Sequence, residues 1–283
     1  MGIKIECVAL DLDRTTLNVR GELSAGNRRA IEQAVEAGIH VVIASGRAYS
    51  TLPKEVTEIE GIEYAVTSNG ASVYRISDHT CLRQYKLSAA SAETILKLSA
   101  DETVTYEAFI DGEAYADRDF IEHPEKYGTS PQAVAYVRST RHLEQDIVLF
   151  MKRHITELDS MDIVVKDEGM KRRIWEQIEA ADQEVYITSS VQQLIEISHR
   201  DAGKHSGLRF VTERLGIPRD HVAAFGDGDN DVDMLRFAGY GIAVANASGK
   251  CREAAYRVTR HHNEDGVAYG LREILGCIPA EER

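Results

Sequence analysis

The chain has 283 residues, of which 43% are hydrophobic and 28% are charged, so its composition excludes a disordered protein and its length allows two domains. Lys and Arg total 33 against 46 Asp and Glu, and the resulting net charge of -13 argues against nucleic acid or an anionic membrane as the main partner. No apolar run reaches the ~20 residues of a membrane-spanning helix and no signal-peptide layout is present, which predicts a cytoplasmic protein.

The first third of the chain alternates apolar runs with amphipathic segments. This pattern predicts strands over residues 5–10, 40–44 and 64–67, and helices over residues 25–37 and 50–59, the first of them capped by Ser24. Such an alternation of strands and helices requires right-handed crossovers and builds a parallel sheet.

The middle of the chain, from about residue 86 to 193, alternates less regularly. It contains predicted helices over 89–98 and 171–180 and predicted strands over 104–109, 184–188 and 194–198. We therefore predict an α/β fold class: a Rossmann-like parallel-sheet core from residues 1–84 and 195–283, with an inserted α+β domain over residues 85–194 that carries an antiparallel sheet.

The last third returns to the alternating pattern. Helices are predicted over 204–215 and 231–238, strands over 221–225 and 241–245, and short helices over 249–255 and 267–275. Open α/β sheets bind ligands at the carboxyl ends of their strands. The polar residues that end these strands are therefore the functional candidates.

Two aspartates, Asp11 and Asp13, follow the first predicted strand. Side chains two apart on a strand point the same way, so these carboxylates are expected to share one volume and to need a cation, a shared proton or several donors. The alternative is that Asp11 caps a turn while Asp13 is solvated. A second acidic segment, residues 226–231, ends the strand before it and contains Asp227 and Asp231, which favours the functional interpretation.

Polar residues also lie at the end of the second predicted strand and at the start of a predicted helix in the core. Ser45, Gly46 and Arg47 follow the second strand and offer a hydroxyl, a closely approachable backbone amide and a guanidinium to an anion, although Ser-Gly after a strand is usually turn chemistry. Lys204 begins a helix, where its charge opposes the helix dipole. A solvated lysine is the alternative there.

These segments together suit the hydrolysis of a phosphate ester. A phosphate monoester carries about two negative charges near neutral pH, so a carboxylate attacks its phosphorus only when that charge is screened. Asp11 and Asp227 can supply oxygen ligands to Mg²⁺, and Lys204 with the Ser45 hydroxyl can hold the phosphoryl oxygens. Asp11 can then form an aspartyl-phosphate, while a protonated Asp13 serves as general acid and later as general base.

The sequence resembles the haloacid dehalogenase superfamily of phosphotransferases, and within it the Cof-like sugar-phosphatase branch. The matching motifs are residues 11–17, Ser45-Gly46-Arg47, Lys204 and residues 226–235, with further matching loops at 67–71, 243–247 and 265–268. In that branch a cap domain lies between the second and third motifs. The resemblance covers nearly the whole chain and implies a Mg²⁺-dependent phosphatase of a small phosphorylated metabolite.

The resemblance also implies roles for single residues. The catalytic residues would be Asp11 as nucleophile and Asp13 as acid and base. The metal residues would be Asp11, Asp13 through its backbone carbonyl, Asp227 as a carboxylate ligand, and Asp231, which would orient metal-bound water. The remaining set would bind phosphate or border the substrate: Ser45, Gly46, Arg47, Asn69, Lys204 and Asn230.

Three positions differ from the residues that are usual in the family. Arg14 stands where the family usually has Gly, and it is expected either to contact an anionic substrate group or cap carboxylate, or to face solvent with ordinary backbone dihedrals. Asp229 is expected to cap the helix that follows it. His205 stands where a small residue is common and is given no role.

Two other functions fit the same residue types. A phosphomutase would pass the phosphoryl group to a sugar hydroxyl, and a receiver-type phospho-acceptor domain also uses strand-end aspartates, a hydroxyl and a lysine. The substrate is not identified, because specificity belongs to cap residues that spacing cannot place. Four scattered cysteines indicate reduced packing residues, and a monomer or a homodimer is expected.

Overall fold

A computed structural model describes residues 4–280 of the chain, which divide into two compact units. The first, the core unit, comprises the described residues 4–46, 52–83 and 203–280. The second, the inserted unit, comprises Arg47–Thr51 and Gln84–Ala202. These limits differ from the predicted 85–194, because residues 195–202 and the segment after Gly46 belong to the inserted unit.

The described residues form fourteen strands. In chain order they are β1 (Cys7–Leu10), β2 (His40–Ala44), β3 (Tyr64–Thr67), β4 (Ser72–Arg75), β5 (Thr80–Gln84), β6 (Thr105–Ile110), β7 (Glu113–Asp117), β8 (His142–Glu144), β9 (Ser160–Val164), β10 (Val185–Thr188), β11 (Leu194–His199), β12 (Val222–Gly226), β13 (Tyr240–Ala243) and β14 (Arg257–Val258).

The same residues form eleven α-helices. They are α1 (Ala25–Glu36), α2 (Lys54–Thr57), α3 (Ala89–Leu98), α4 (Arg118–Glu122), α5 (Val134–Thr140), α6 (Ile147–Arg153), α7 (Glu168–Ala181), α8 (Lys204–Leu215), α9 (Val232–Phe237), α10 (Gly249–Ala254) and α11 (Gly266–Tyr269). No helix of residues 4–280 has the length and apolar character needed to cross a bilayer.

The core unit contains an eight-stranded sheet in the order β14-β13-β12-β1-β2-β3-β4-β5. Neighbours from β14 to β3 pair in parallel, and β4 pairs antiparallel with β3. The central strands are buried along their length, as expected for a parallel sheet whose faces are covered by helices. This confirms the predicted α/β fold class and brings the ends of β1 and β12 side by side.

The inserted unit contains a six-stranded sheet in the order β10-β11-β9-β6-β7-β8. Its pairs are antiparallel except for the parallel pair β7–β8. One face carries apolar residues of β6, β9 and β11, which pack with apolar residues of α3, α6 and α7 in one hydrophobic cluster. The opposite face carries the residues that alternate with them, and several of those are polar.

Several predicted elements needed correction. The strand predicted from residue 5 begins at Cys7, and the helix predicted over 50–59 is a short 3₁₀ turn (Tyr49–Thr51) followed by α2, because Pro53 cannot continue a helix. The helix predicted over 267–275 consists of α11 followed by a π-helical turn over Gly270–Ile274. The helix predicted over 171–180 is longer than expected and forms α7, Glu168–Ala181. All four cysteines are free, but Cys81 is exposed and is not a packing residue.

Candidate active site

The candidate residues of the core unit lie where its central parallel strands end. Asp11 follows β1, Ser45 follows β2, Asn69 follows β3 after one residue, and Asp227 follows β12. The backbone pairing continues past the strands: the Asp11 amide donates to the Phe225 carbonyl at 3.1 Å. The sheet register therefore places side chains that are far apart in sequence at one edge.

A buried lysine joins two of these carboxylates. The Lys204 side chain, on a residue that is 1% exposed, donates from Nζ to Asp11 Oδ1 at 2.7 Å and to Asp231 Oδ1 at 2.7 Å. Burial disfavours its charge, but the two carboxylates outweigh that effect and raise its pKa above the ordinary lysine value. The interpretation of Lys204 as a solvated lysine is therefore wrong, and its place at the start of α8 is explained by these two ion pairs.

Two glycines let the backbone bring Lys204 into place. The turn Ser68–Gly70 after β3 contacts the residue before α8, and Gly70 and Gly203 have φ values of 92° and 104°. A Cβ at Gly70 would lie 2.1 Å from the Gly203 carbonyl oxygen, which no side chain tolerates. This close approach was not predicted from the sequence, although both positions are glycine.

Asp231 is held by hydrogen bonds on both carboxylate oxygens. Its Oδ2 accepts from the amides of Asp227 at 2.9 Å and Gly228 at 3.0 Å, while its Oδ1 accepts from Lys204. A Cβ at Gly226 would lie 2.5 Å from the Asp231 Cβ, so glycine at the end of β12 makes room for this fold-back. Asp231 therefore fixes both the acidic loop and the lysine.

Burial and mutual repulsion raise the pKa values of two carboxylic acids in this site. Burial, followed by the charge of Asp231, raises the pKa of Asp11 to about 7, against the opposing effect of Lys204. Burial, followed by the charges of Asp11 and Asp231, raises the pKa of Asp227 to about 9. Both groups therefore favour a protonated form unless a further positive charge is supplied.

The geometry of the cluster fits a divalent cation. One carboxylate oxygen from each of Asp11, Asp227 and Asp231 lies within 4.8 Å of the others. Asp11 Oδ2 is buried and has no hydrogen-bond partner among the described residues. A buried carboxylate oxygen without a partner is costly, and oxygen atoms from carboxylates are the ligands that Mg²⁺ prefers.

Hydroxyl and amide side chains complete the site. Thr16 Oγ1 donates to the Asp11 carbonyl at 2.6 Å, and Thr15 Oγ1 donates to Asp227 Oδ1 at 3.4 Å. Asn230 Nδ2 donates to Asn69 Oδ1 at 3.0 Å, and Asn69 adopts a left-handed conformation with φ of 50°. The two threonines were not singled out from the sequence, although they lie within the first acidic motif.

Asp13 and Arg14 are exposed, unlike Asp11. Asp11 is 5% exposed, and the charge of Asp13 contributes to raising its pKa, so the two carboxylates interact although only the first is buried. β1 ends at Leu10, and the turn over Leu12–Thr16 is irregular, with non-helical dihedrals at Asp13 and Arg14. Arg14 has a left-handed φ of 60°, not ordinary dihedrals, and its 53% exposed side chain brings Nε 3.6 Å from Asp227 Oδ2.

Arg47 and Asp229 make contacts that their sequence motifs did not predict. Gly46 is in the core unit with Ser45, but Arg47 belongs to the inserted unit, where its guanidinium lies 4.4 Å from the centre of the Tyr136 ring. The expected cap role of Asp229 is wrong. Its carboxylate accepts from Ser248 Oγ at 2.7 Å and Lys250 Nζ at 2.8 Å, and α9 begins three residues later.

Comparison with known proteins agrees with this geometry. The sequence model of the haloacid dehalogenase-like hydrolases matches residues 8–271. Among curated relatives, the putative phosphatase YxeH of Bacillus subtilis is 26% identical over 95% of this chain and 97% of its own length. The 5-amino-6-(5-phospho-D-ribitylamino)uracil phosphatase YcsE of the same organism is 26% identical over 95% of this chain and 96% of its own length.

Solved structures give the same result for the fold. A haloacid dehalogenase-like hydrolase from B. subtilis superimposes with a TM-score of 0.83 at 25% identity, covering 96% of this chain and 100% of the other. A haloacid dehalogenase subclass IIB sugar phosphatase superimposes with a TM-score of 0.81 at 18% identity, covering 96% and 100%. The second likeness concerns the fold alone.

Proposed function

The chain belongs to the haloacid dehalogenase-like hydrolases, and from that premise we propose that it is a Mg²⁺-dependent phosphatase of a small phosphorylated metabolite, a sugar phosphate or a related phosphate monoester. The observation that carries the proposal is the buried cluster in which Lys204 bridges Asp11 and Asp231 while Asp11 keeps one oxygen without a partner. The phosphatase names of the curated relatives support the same reaction class.

Asp11 is the nucleophile in this proposal. A carboxylate oxygen attacks phosphorus and forms an aspartyl-phosphate as the bond to the leaving oxygen breaks. Lys204 holds Asp11 in place by its ion pair and contributes positive charge beside the phosphoryl group. Ser45, the Gly46 amide and Asn230 bind phosphoryl oxygens, with Asn69 orienting Asn230 through their hydrogen bond.

Asp13 is the proton carrier. As a carboxylic acid it protonates the leaving oxygen, and as a carboxylate it then takes a proton from the water that attacks the aspartyl-phosphate. That second attack releases inorganic phosphate and restores the Asp11 carboxylate. The exposed position of Asp13, two residues after the buried Asp11, suits a group that exchanges protons with substrate and solvent.

Asp11, Asp227 and the Asp13 backbone carbonyl would hold Mg²⁺, and Asp231 would orient its water ligands while keeping Lys204 and the loop amides in place. The bound ion supplies positive charge that screens the phosphoryl group and polarises it. Arg14 lies beside Asp227, so its guanidinium partly compensates that carboxylate and lowers its pKa.

The raised pKa values predict how stability depends on pH and metal. In the folded metal-free protein Asp11 keeps its proton up to about pH 7 and Asp227 up to about pH 9, whereas the unfolded chain releases both at about pH 4, so stability falls as pH rises through these ranges. Mg²⁺ binds the ionised carboxylates, so the rise in Tm that it causes should be larger at pH 8.5 than at pH 6, reaching roughly 5–10 °C at saturating metal.

Scanning calorimetry with EDTA or Mg²⁺ at the two pH values measures this effect. Asp227→Asn should lose most of the Mg²⁺ gain, whereas Asp220→Asn, a surface change in the same unit, should keep it. A Mg²⁺ gain of equal size at both pH values would contradict the assignment of these carboxylates to the cation.

Phosphate release tests the reaction itself. We expect the purified protein with Mg²⁺ to release inorganic phosphate from at least one member of a panel of sugar phosphates, nucleotides and cofactor phosphates, and to stop when EDTA removes the ion. No release from any ester would reject the proposal. A strict requirement for a bisphosphorylated sugar would indicate a phosphomutase, and slow loss of a stable acyl-phosphate without turnover would indicate a phospho-acceptor domain.

A further inference from the structure

Arg14 lies in the turn after β1, close in sequence to the proposed nucleophile Asp11, and its backbone conformation is unusual. Its φ of 60° is in the left-handed region, which is unfavourable for a residue with a Cβ atom. The Asn246 side chain stabilises this conformation, because its Nδ2 donates to the Arg14 carbonyl at 2.9 Å while its Oδ1 accepts from the His262 amide at 3.1 Å. The Arg14 backbone therefore has a defined position in the core unit.

The side chain of Arg14 lies beside one of the carboxylates proposed to hold Mg²⁺. Its Nε is 3.6 Å from Asp227 Oδ2, and the side chain is 53% exposed. That distance is longer than an N–H···O hydrogen bond, so the contact is mainly an attraction between opposite charges. No hydrogen bond from the Arg14 guanidinium reaches another of the residues 4–280. The guanidinium is therefore close to Asp227 without being fixed to it by a hydrogen bond.

Asp227 is the carboxylate on which Arg14 acts. Burial, followed by the charges of Asp11 and Asp231, raises the pKa of Asp227 to about 9, and Arg14 opposes this rise more than Lys204 does. The carboxylates of the three aspartates each offer one oxygen within 4.8 Å of the others, an arrangement that fits a divalent cation. A cation bound there would share Asp227 with the guanidinium, and two positive charges beside one carboxylate repel each other.

We propose that Arg14 competes electrostatically with the divalent cation for Asp227 and so sets the cation affinity of the site. The inference rests on the proposed metal-dependent phosphatase function and adds a residue that regulates its metal binding. In the metal-free protein the guanidinium compensates Asp227, and arginine keeps its charge at every pH at which the protein is folded. A cation that binds Asp227 loses part of that attraction to repulsion from the guanidinium. Removal of the Arg14 charge therefore tightens cation binding.

Calorimetric titration of the metal-free protein with Mg²⁺ measures this affinity without substrate or turnover. Arg14→Gln removes the charge but keeps a side chain with a Cβ on the left-handed backbone. We expect it to lower the Kd for Mg²⁺ by about tenfold, and by at least about threefold. The titration is done at about pH 8.5, because the pKa values of about 7 for Asp11 and about 9 for Asp227 make competition from protons stronger at lower pH.

Three further variants separate the charge from the backbone. Arg14→Lys keeps the charge, so its Kd should stay closer to that of the wild type than to that of Arg14→Gln. Arg14→Gly removes the charge and relieves the left-handed backbone, and its Kd should agree with that of Arg14→Gln within about twofold. Arg75→Gln removes the arginine of another ion pair of the core unit, with Asp78, and should leave the wild-type Kd unchanged within about twofold.

The opposite outcomes are distinct. Tightening by less than about threefold in Arg14→Gln, equal tightening in Arg14→Lys, or tightening confined to Arg14→Gly would overturn the proposal. An unchanged Mg²⁺ affinity with weaker binding of inorganic phosphate to the Mg²⁺-loaded Arg14→Gln protein would assign the guanidinium to the anion instead. Failure of the wild type and of Arg14→Gln to bind Mg²⁺ at all would reject the metal site itself. A wild type that binds Mg²⁺ and releases phosphate, with the same Kd in Arg14→Gln, would reject the role of Arg14 alone.

Discussion

Asp11→Asn is expected to lower kcat/KM for phosphate release by about 10⁴-fold or more, because the variant lacks the oxygen nucleophile that forms the aspartyl-phosphate. Asparagine has the same shape, and it can still place a carbonyl oxygen near Lys204 Nζ, which lies 2.7 Å from Asp11 Oδ1 in the wild type. The variant should therefore lose catalytic activity while it keeps its fold. Released phosphate is measured with Mg²⁺ present, using the best substrate of the panel.

Two further measurements make this result specific. Acid quenching during turnover should trap a phosphorylated wild-type protein and no phosphorylated Asp11→Asn protein. Burial raises the pKa of Asp11 to about 7, so above that pH the metal-free variant should be at least as stable as the metal-free wild type, because it no longer buries an ionised group. Asp220→Asn serves as the matched surface control. An Asp11→Asn protein with full hydrolysis would end the case for this nucleophile.

The parts of this site that the sequence predicted depend on local patterns. Short apolar runs ending in Asp11 or in Asp227 predict strands with acidic ends, and parallel pairing of such strands predicts that those ends meet. Helices α3 and α8 have the predicted bounds, since α3 has a serine cap and α8 ends at a glycine. These rules need only a few neighbouring residues and one general property of the sheet.

The parts that were missed depend on contacts between distant segments. The contact between Gly70 and Gly203 joins two loops far apart in sequence, and periodicity carries no information about it. The sheet of the inserted unit requires the register of β6, β9 and β11, three strands that a local pattern cannot align. The motif predicts that Arg47 borders the substrate, but it carries no information that Arg47 belongs to the inserted unit and contacts Tyr136 there.

Lys204→Met is expected to damage both stability and catalysis. Methionine is close in length to lysine but has no charge, so Asp11 and Asp231 would lose the ion pairs that now lie at 2.7 Å each. Removing one partner of a buried ion pair costs about 3–5 kcal/mol of unfolding free energy. Loss of the positive charge beside the phosphoryl group should also lower kcat/KM by about 10²–10³-fold. Calorimetry and phosphate release measure the two effects.

The stability loss of Lys204→Met should depend on pH and metal in a defined direction. Lys204 now lowers the pKa of Asp11, so its removal raises that pKa further, and the metal-free variant should lose more stability at pH 8 than at pH 6. Mg²⁺ replaces part of the missing charge and should stabilise the variant more than the wild type. Lys54→Met, at an exposed position of the same unit, should show none of these effects. If the variant and this control have equal stability without metal, Lys204 does not compensate the buried carboxylates, and the proposed electrostatic basis of the site is wrong.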